Sequence, residues 1–301
     1  MNHDGGSVAI LPFEIVATWP KGSFAESVAI ATDGQIFVSL HTDQAVVRVD
    51  PTNGTVTPFA TFDRAATGLV FAADGALIVS GGAPGTAPGV VWRVERDGTV
   101  QQLAEIAEAA FLNGMTPFGD HMLIAESIGA KVYAIDPVSG AVETWLSDPL
   151  LGVGAGEDGP GANGIKLFGG AAIVSVTGAD RLVRVPVVDG HAGRPEIRAE
   201  NLRADDFAID ASGALYIATH QAQTLLRLDP DGNRTTLARA EHGMVGSTAV
   251  AFGRTALDRT SIYVTTTGGT WTVPGDQLED AKLLRIDVGQ PGHPLLPGGA
   301  A

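Results

Sequence analysis

The sequence contains no cysteine. This absence excludes disulfide bonds, thiolate metal ligands and a cysteine nucleophile, and it leaves the redox compartment open. Aromatic residues are scarce, at 6% of the chain. No apolar run approaches the ~18 consecutive residues that a membrane-spanning helix needs, because charged residues, glycine or proline interrupt every one. The sequence therefore predicts a soluble protein.

Basic residues are also few, with 19 Lys and Arg against 34 Asp and Glu and a net charge of −15. Such a chain repels a phosphate backbone or an anionic lipid surface rather than releasing its counterions. We therefore expect a small-molecule partner and neither nucleic acid nor membrane. The first residues lack the basic start and unbroken apolar core of a secretory signal peptide, which predicts a cytoplasmic location.

Glycine, in contrast, is abundant: 39 Gly and 17 Pro separate short runs rich in Val, Ile, Leu and Thr. The runs repeat one phrase, in which an apolar strand, a tight Asp-Gly or Ser-Gly hairpin and a second apolar strand are followed by a loop and two further strands. Six copies are recognisable, and their turns recur about every 40 to 50 residues, as propeller blades do. The sequence predicts an all-β, six-bladed β-propeller.

The predicted propeller is a single domain over residues 1–301. Its blades are expected at approximately 19–60, 61–103, 104–150, 151–200, 201–241 and 242–288. An N-terminal strand at 10–18 is expected to lie beside the last strand of blade 6. This pairing would close the ring and remove an exposed sheet edge.

The residues that precede the first strand of each blade should converge at one mouth of the central channel. They are Glu26, Gly68, Asn113, Asn163, Asp205 with Asp206, and Ser247 with Thr248. Carboxylate and amide oxygens suit a hard divalent cation. We predict one divalent metal ion, Ca²⁺, Mg²⁺, Mn²⁺ or Zn²⁺, held by Glu26, Asn163 and Asp205. The alternative is that these side chains cap turns, but their shared register in three blades favours the metal.

The second strands should end at the same mouth, and histidine there can act as an acid or base near neutral pH. The predicted catalytic candidates are Asp205, Asp206, His220 and His41. The predicted substrate contacts are Asn113, Leu112, Glu126, His242, Ser247 and Thr248. The alternative for each histidine is a hydrogen-bonding surface residue. The chain contains no GxSxG, HExxH or GxxxxGK[ST] motif, which argues against serine-hydrolase and nucleotide chemistry.

Three segments carry a family resemblance: FAES before blade 1, GPGANGIKLF before blade 4 and ADDFAIDASG before blade 5. With them the chain resembles the senescence marker protein (regucalcin) and gluconolactonase family from about Ala25 to Val288. In that family a Glu, an Asn and an Asp bind one divalent metal, and the matching positions are Glu26, Asn163 and Asp205. The family Asp is often followed by Gly, whereas Asp206 stands here, so either carboxylate is a candidate ligand.

The segment before blade 3 departs from the family pattern. Sugar-lactone members carry Arg-Phe-Asn-Asp-Gly, and the aligned residues here are AFLNG, Ala110 to Gly114. Loss of the polar Arg and Asn implies a more apolar substrate than a sugar lactone. The stretches FLNGM, DDFAID and GSTAVAFGRTALDRTSIYVTTTGG resemble a branch, common in fungi, in which some members catalyse hetero-Diels–Alder cyclisations.

Three functions follow as hypotheses. The first is a metal-dependent hydrolase of a lactone or related ester, in which the metal polarises the carbonyl and activates water. The second is a biosynthetic cyclase that holds an apolar intermediate in a reactive pose. The third is a non-catalytic ligand-binding propeller. Retention of all three metal-binding positions favours the hydrolase, and the acidic residues at the mouth argue against an inert scaffold.

Overall fold

The computed structural model describes residues 6–294. Their strands form six separate sheets, and the first strands of successive sheets contact one another in a closed cycle. This arrangement is a six-bladed β-propeller, which confirms the predicted fold class. Residues 1–5 and 295–301 of the predicted domain lie outside the described residues. Within residues 6–294, no helix has the length and apolar character that crossing a membrane requires.

The strands of the first half make up three blades. The chain begins with β1 (Ser7–Val8) and β2 (Glu14–Trp19). Blade 1 consists of β3 (Ala25–Ile30), β4 (Ile36–Leu40), β5 (Ala45–Val49) and β6 (Val56–Thr61). Blade 2 consists of β7 (Ala66–Phe71), β8 (Leu77–Ala83), β9 (Thr86–Val94) and β10 (Val100–Ile106). Blade 3 consists of β11 (Leu112–Phe118), β12 (His121–Glu126), β13 (Lys131–Ile135) and β14 (Val142–Ser147).

The second half makes up the other three blades. Blade 4 consists of β15 (Ala162–Phe168), β16 (Ala171–Val176), β17 (Arg181–Val188), β18 (His191–Ala192) and β19 (Glu196–Glu200). Blade 5 contains β20 (Phe207–Ile209), β21 (Leu215–Ala218), β22 (Leu225–Leu228) and β23 (Arg234–Ala238). Blade 6 contains β24 (Ser247–Phe252), β25 (Ser261–Thr266) and β26 (Ala281–Asp287). Single 3-10 turns occur at Pro149–Leu151, Thr177–Ala179, His220–Ala222, Ala240–His242 and Gly275–Gln277.

The hydrophobic core is divided among the seams between blades. Each of six clusters of buried side chains joins two neighbouring blades. The first two strands of a blade are therefore largely buried on both faces, as in β4, where all five residues are buried. Tight hairpins link these strands, and the one after β3 places Gly34 at φ +89°, a backbone angle that glycine adopts without strain.

The N-terminal segment completes two blades. Strand β2 pairs antiparallel with β26, from Glu14 opposite Arg285 to Trp19 opposite Ala281. Strand β1 pairs parallel with β23, so it forms the outer edge of blade 5. Because both partners come from the C-terminal third of the chain, these pairings hold the ring closed.

A repeated hydroxyl group ties neighbouring blades together beside the channel. It occupies the same position of the second strand in four blades, at Ser39, Ser80, Ser175 and Thr265. In blade 4, the Ser175 hydroxyl accepts a hydrogen bond from the Gly164 amide at 2.7 Å and donates one to the Asp205 carbonyl at 2.5 Å. Each such hydroxyl thus links the first strand of its own blade to that of the next. Blades 3 and 5 have alanine at this position, Ala125 and Ala218.

Candidate functional site

A small cavity lies where the first strands begin. Its volume is about 10 Å³, close to the space that one water molecule or ion occupies. The lining residues are Glu26, Ser27, Gly68, Asn113, Gly114, Asn163, Asp205, Asp206, Thr248 and Ala249. The structure therefore brings the three predicted metal ligands to one place on the channel.

Local backbone irregularities aim these side chains inward. The pairing of β3 with β4 changes register between Ala25 and Val28, and that of β15 with β16 changes between Ala162 and Ile165. A bulge of this kind bends the strand and redirects a side chain. Glu26 and Asn163 both stand within such a bulge, so their side chains reach the channel instead of the seams between blades.

Hydrogen bonds arrange the amide and carboxylate groups. The Asn163 Nδ2 group donates to Asp205 Oδ1 at 2.6 Å and to Thr177 Oγ1 at 3.0 Å. Among residues 6–294, neither the amide oxygen of Asn163 nor the carboxylate of Glu26 accepts a hydrogen bond. Two kinds of oxygen ligand are thus left available around an ion-sized space.

The charges at the small cavity are unbalanced. Burial and the nearby Asp206 charge raise the pKa of Glu26 to about 7. Burial and the charges of Glu26 and Asp206 raise the pKa of Asp205 well above its usual value, against the effect of its Asn163 hydrogen bond. Lys166 Nζ donates to Asp206 Oδ1 at 2.6 Å. Lys166 therefore compensates Asp206, and Glu26 and Asp205 are left without a lysine or arginine partner among residues 6–294.

Any metal site at this cavity needs the amide as a ligand. In the part of the chain that the structure describes, no group of three His, Cys, Asp or Glu side chains is arranged to hold a metal ion. Glu26 and Asp205 alone give two carboxylates. A set of two carboxylates and one amide is an all-oxygen set, and it suits hard cations.

Three of the predicted substrate contacts lie at or beside the small cavity. Asn113 lines it and donates from Nδ2 to Ser127 Oγ at 3.3 Å. Thr248 also lines it, and its hydroxyl donates to the Ala25 carbonyl at 2.7 Å. The neighbouring Ser247 hydroxyl donates to the Thr224 carbonyl at 3.0 Å, so it holds backbone in place.

The other three lie away from the small cavity. Leu112 is fully buried in the core between blades 2 and 3, so it does not set the polarity of the channel. The Glu126 carboxylate accepts hydrogen bonds from four backbone amides, those of Ala110, Phe111, Ile128 and Gly129. His242 accepts one at Nδ1 from the Arg239 amide at 3.3 Å. These contacts stabilise loops, and none of the three residues lines the small cavity.

An aromatic cluster, which we call the aromatic mouth, adjoins the small cavity; it comprises Phe24, His41, Phe111, His220 and Trp271. Phe24 contacts Trp271 with ring centroids 4.5 Å apart, and both His41 and His220 at 5.6 Å. His220 Nδ1 lies 3.5 Å from Asp205 Oδ2, which joins the mouth to the predicted metal ligands. Burial lowers the pKa of His41, and it lowers that of His220 to about 4. Both imidazoles are therefore neutral at pH 7.

Sequence reasoning missed Phe24, Phe111 and Trp271. Trp271 is 63% exposed and stands in the segment between β25 and β26. The connection there, 267–280, is the longest between second and third strands in any blade described. Loop length is the signal that could have identified Trp271, because long loops at one end of a rigid scaffold commonly carry binding residues.

Loss of the Ser175 hydroxyl is expected to weaken both the fold and the site. The variant Ser175→Ala removes one hydrogen bond from each of the buried Gly164 amide and Asp205 carbonyl and leaves them only their mutual bond of 3.3 Å, which costs about 1–2 kcal/mol of unfolding free energy. Since Asp205 also loses its backbone support, metal affinity should fall. Ser80→Ala is the control, because Ser80 makes the same two bonds to Gly68 and Asn113. Urea unfolding and metal titration of both variants test this, and equal metal affinity in the two would contradict it.

The fold and the oxygen-lined mouth define a six-bladed β-propeller with a candidate cation site on its channel. No protein-family model and no curated protein matches the chain. Solved structures, in contrast, do match the chain. A luciferin-regenerating enzyme is 13% identical, with a TM-score of 0.73, over 93% of this chain and 97% of that one. A calcium-binding regucalcin from Agrobacterium tumefaciens is 16% identical, with a TM-score of 0.71, over 98% and 99%.

A gluconolactonase from Xanthomonas campestris is a third similar structure. It is 13% identical, with a TM-score of 0.68, over 93% of this chain and 89% of that one. The TM-scores and coverages of these three structures establish a common architecture, but at identities this low they establish nothing further. Activity has to be argued from the site of this chain itself.

Proposed function

We propose that this protein is a metal-dependent hydrolase of a lactone or related ester, related to the regucalcin and gluconolactonase group. The observation that carries the proposal is the pair of uncompensated carboxylates, Glu26 and Asp205, beside the Asn163 amide around one ion-sized cavity. The names of two similar structures, a calcium-binding regucalcin and a gluconolactonase, agree with it.

The charge of the site fits one divalent cation. With Asp206 paired to Lys166, ionised Glu26 and Asp205 carry two negative charges, which a divalent ion would balance. The amide oxygen of Asn163 provides a third ligand. Oxygen ligands of this kind favour Ca²⁺, Mg²⁺ or Mn²⁺ over Zn²⁺, which more often has nitrogen or sulfur ligands.

The bound metal would polarise the ester carbonyl and lower the pKa of a water molecule. Side chains of the protein would accept the proton that this water molecule loses. His41 Nδ1 donates to the Ala66 carbonyl at 3.2 Å, so Nε2 is the nitrogen that accepts a proton. His220, neutral beside Asp205, is the second candidate to accept one. Asp206 is held by Lys166, and we assign it a role in positioning Asp205.

Substrate is proposed to lie between the aromatic mouth and the polar ring. Asn113 and Thr248 face the small cavity and are the proposed polar contacts. The rings of Phe24 and Trp271 would cover an apolar part of the substrate. The proposed substrate class is therefore an apolar lactone or ester rather than a sugar lactone.

The first test is the metal content of the purified protein together with hydrolysis of apolar and sugar lactones before and after chelation. We expect one equivalent of divalent metal and chelator-sensitive turnover. Asp205→Ala should lose both, and Asp97→Ala, which changes an exposed turn, should lose neither. Stoichiometric metal retained in Asp205→Ala would overturn the assignment of the ligands.

A biosynthetic cyclase is the second candidate, and the aromatic mouth favours it. Aromatic walls hold an apolar, reactive intermediate in a productive pose without any polar machinery. The product distinguishes the two functions. Hydrolysis adds the mass of one water molecule to the substrate, whereas cyclisation leaves the mass unchanged. Binding of such molecules without any product would favour the ligand-binding propeller.

Removal of the Trp271 side chain is expected to affect substrate binding more than metal binding. Trp271→Ala should raise KM for an apolar lactone about tenfold, as loss of one aromatic contact of about 1–2 kcal/mol implies. Metal content should not change. Leu257→Ala, at a side chain that is 90% exposed, is the control. Unchanged KM in Trp271→Ala would mean that substrate does not pass the aromatic mouth.

A further inference from the structure

A second and much larger cavity opens at the opposite end of the channel. It measures about 700 Å³ and lies on the side of the hairpins that join the first and second strands, such as Ala31–Asp33 and Ala72–Gly75. Lys166 and Asp206 line its deep end, and Asp206 also lines the small cavity. The ion pair of these two residues therefore stands between the two cavities. A volume of this size is typical of small-molecule sites, which span about 300–1,000 Å³.

The charge of this lower cavity is opposite to that of the protein. Five of the 19 Lys and Arg side chains line it, against three of the 34 acidic ones. The five are Arg48, Arg96, Lys166, Arg254 and Arg259. Two of the three acids have partners, because Asp206 pairs with Lys166 and Glu95 with Arg93. Among residues 6–294, none of the four arginines forms an ion pair. The cavity thus offers an excess of positive charge to an anion.

Arg254 is the best placed of these cations. It lies in the connection between β24 and β25 and is partly buried, and Nη1 donates to the Ile30 carbonyl at 3.3 Å. Burial lowers the pKa of its guanidinium. A guanidinium taken partly out of water gains most from an anionic partner, and its planar fork pairs with both oxygens of a carboxylate. Arg259, in the same connection, is exposed at the rim.

The lower cavity has apolar side chains in its walls as well as the arginines. Side chains that line it include Phe37, Leu69, Phe71, Ile209 and Phe252. A ligand that used both the walls and the arginines would need an apolar body and one acidic group. Inorganic phosphate or a sugar acid would leave the walls uncovered, and a neutral hydrocarbon would leave the arginines without a partner.

We propose that the lower cavity is a binding site for an amphipathic organic anion, with its acidic group paired to Arg254 and Arg259 and its aromatic or aliphatic body against the apolar walls. The site is separate from the candidate metal centre, because the Lys166–Asp206 pair lies between them. It therefore does not depend on the proposed hydrolase activity.

Two fluorescent probes of similar shape test the proposal. Anilinonaphthalenesulfonate carries an acidic group, and N-phenylnaphthylamine lacks it. We expect the wild-type protein to bind the sulfonate in a 1:1 ratio and decanoate to displace it. The double variant Arg254→Gln/Arg259→Gln should bind the sulfonate at least about tenfold more weakly, as loss of charge-assisted hydrogen bonds implies. Its affinity for the neutral probe should not change.

Arg184→Gln removes an arginine that pairs with Glu196 on an outer strand of blade 4, and it should leave both affinities unchanged. Equal sulfonate affinity in the double variant and the wild type would overturn the proposal. Sulfonate binding that appears only after deletion of residues 295–301 would overturn it too, since the site would then serve the end of the chain itself.

Discussion

Replacement of Glu26 by glutamine is expected to abolish stoichiometric binding of a divalent metal and, with it, lactone hydrolysis. Glutamine keeps the size of the side chain and removes one of the two carboxyl groups that lie at the small cavity without a lysine or arginine partner among residues 6–294. Loss of a directly coordinating carboxylate should weaken metal affinity by more than the ~10–100-fold that loss of an outer-sphere partner costs. Calorimetric titration with Ca²⁺, Mg²⁺ and Mn²⁺ measures the affinity, and a chromogenic lactone measures turnover.

A matched substitution separates this effect from a general loss of negative charge. Glu143 is exposed on the outer strand β14, so Glu143→Gln changes the net charge equally and should leave affinity and turnover as in the wild type. Full metal affinity in Glu26→Gln would remove Glu26 from the site. If turnover were lost while metal affinity stayed full, the protein would still have a metal centre, but its ligands would be residues other than Glu26.

The same Glu26→Gln variant is expected to be more stable than the wild type when no metal is bound, and increasingly so as pH rises. Burial and Asp206 raise the pKa of Glu26 from 4.5 to about 7 in the folded protein. Between these values the folded state binds more protons than the unfolded state, so the carboxyl group lowers stability as pH rises through this window. Glutamine does not titrate. Its advantage should grow from near zero at pH 4 to as much as about 3 kcal/mol at pH 8.

The difference between the two proteins is the quantity to measure. His220, whose pKa burial lowers to about 4, makes both proteins more stable as pH rises towards 6.5, and this contribution cancels in the difference. The contribution of Asp205 does not cancel, because the Glu26 charge raises its pKa; loss of that charge in the variant adds to the difference in the same direction. Urea unfolding with chelator, at pH 4, 6 and 8, gives that difference. Saturating metal should reverse its sign at pH 8, because only the wild type binds the ion. A difference that is independent of pH would show that Glu26 is not held at an elevated pKa.

The fold could be predicted because its signals are local and repeated. Asp-Gly and Ser-Gly hairpins between apolar runs, such as that at Gly34, recur at the spacing of blades, and six strand groups leave few other architectures. The convergence of Glu26, Asn163 and Asp205 followed from the same repeat, since equivalent positions in a ring of blades face one axis. Whether these three residues bind metal stays a prediction.

The parts of the site that sequence reasoning did not foresee depend on contacts between distant segments. Leu112, predicted to contact substrate, directly precedes Asn113 of the mouth, yet it packs into the seam between blades 2 and 3. Glu126 is also predicted to contact substrate, but four backbone amides donate hydrogen bonds to its carboxylate. The bulge between the first two strands recurs in five blades, but the loops at the mouth have no repeated pattern, and Trp271 reaches Phe24 only through a long loop.

The closure of the ring by β1 and β2 has a consequence for how the chain is made. Strand β2 pairs with β26, and Ala17 and Trp19 pack in the seam between blades 6 and 1. At ~5–20 residues per second, a ribosome finishes β26 about 15–50 s after β2. During that interval β2 has no strand to pair with. The side chains of blade 1 that face blade 6 lack most of their partners in the core. Closure of the propeller is therefore a late step, and until β26 has been made the growing chain exposes the unpaired edge of β2.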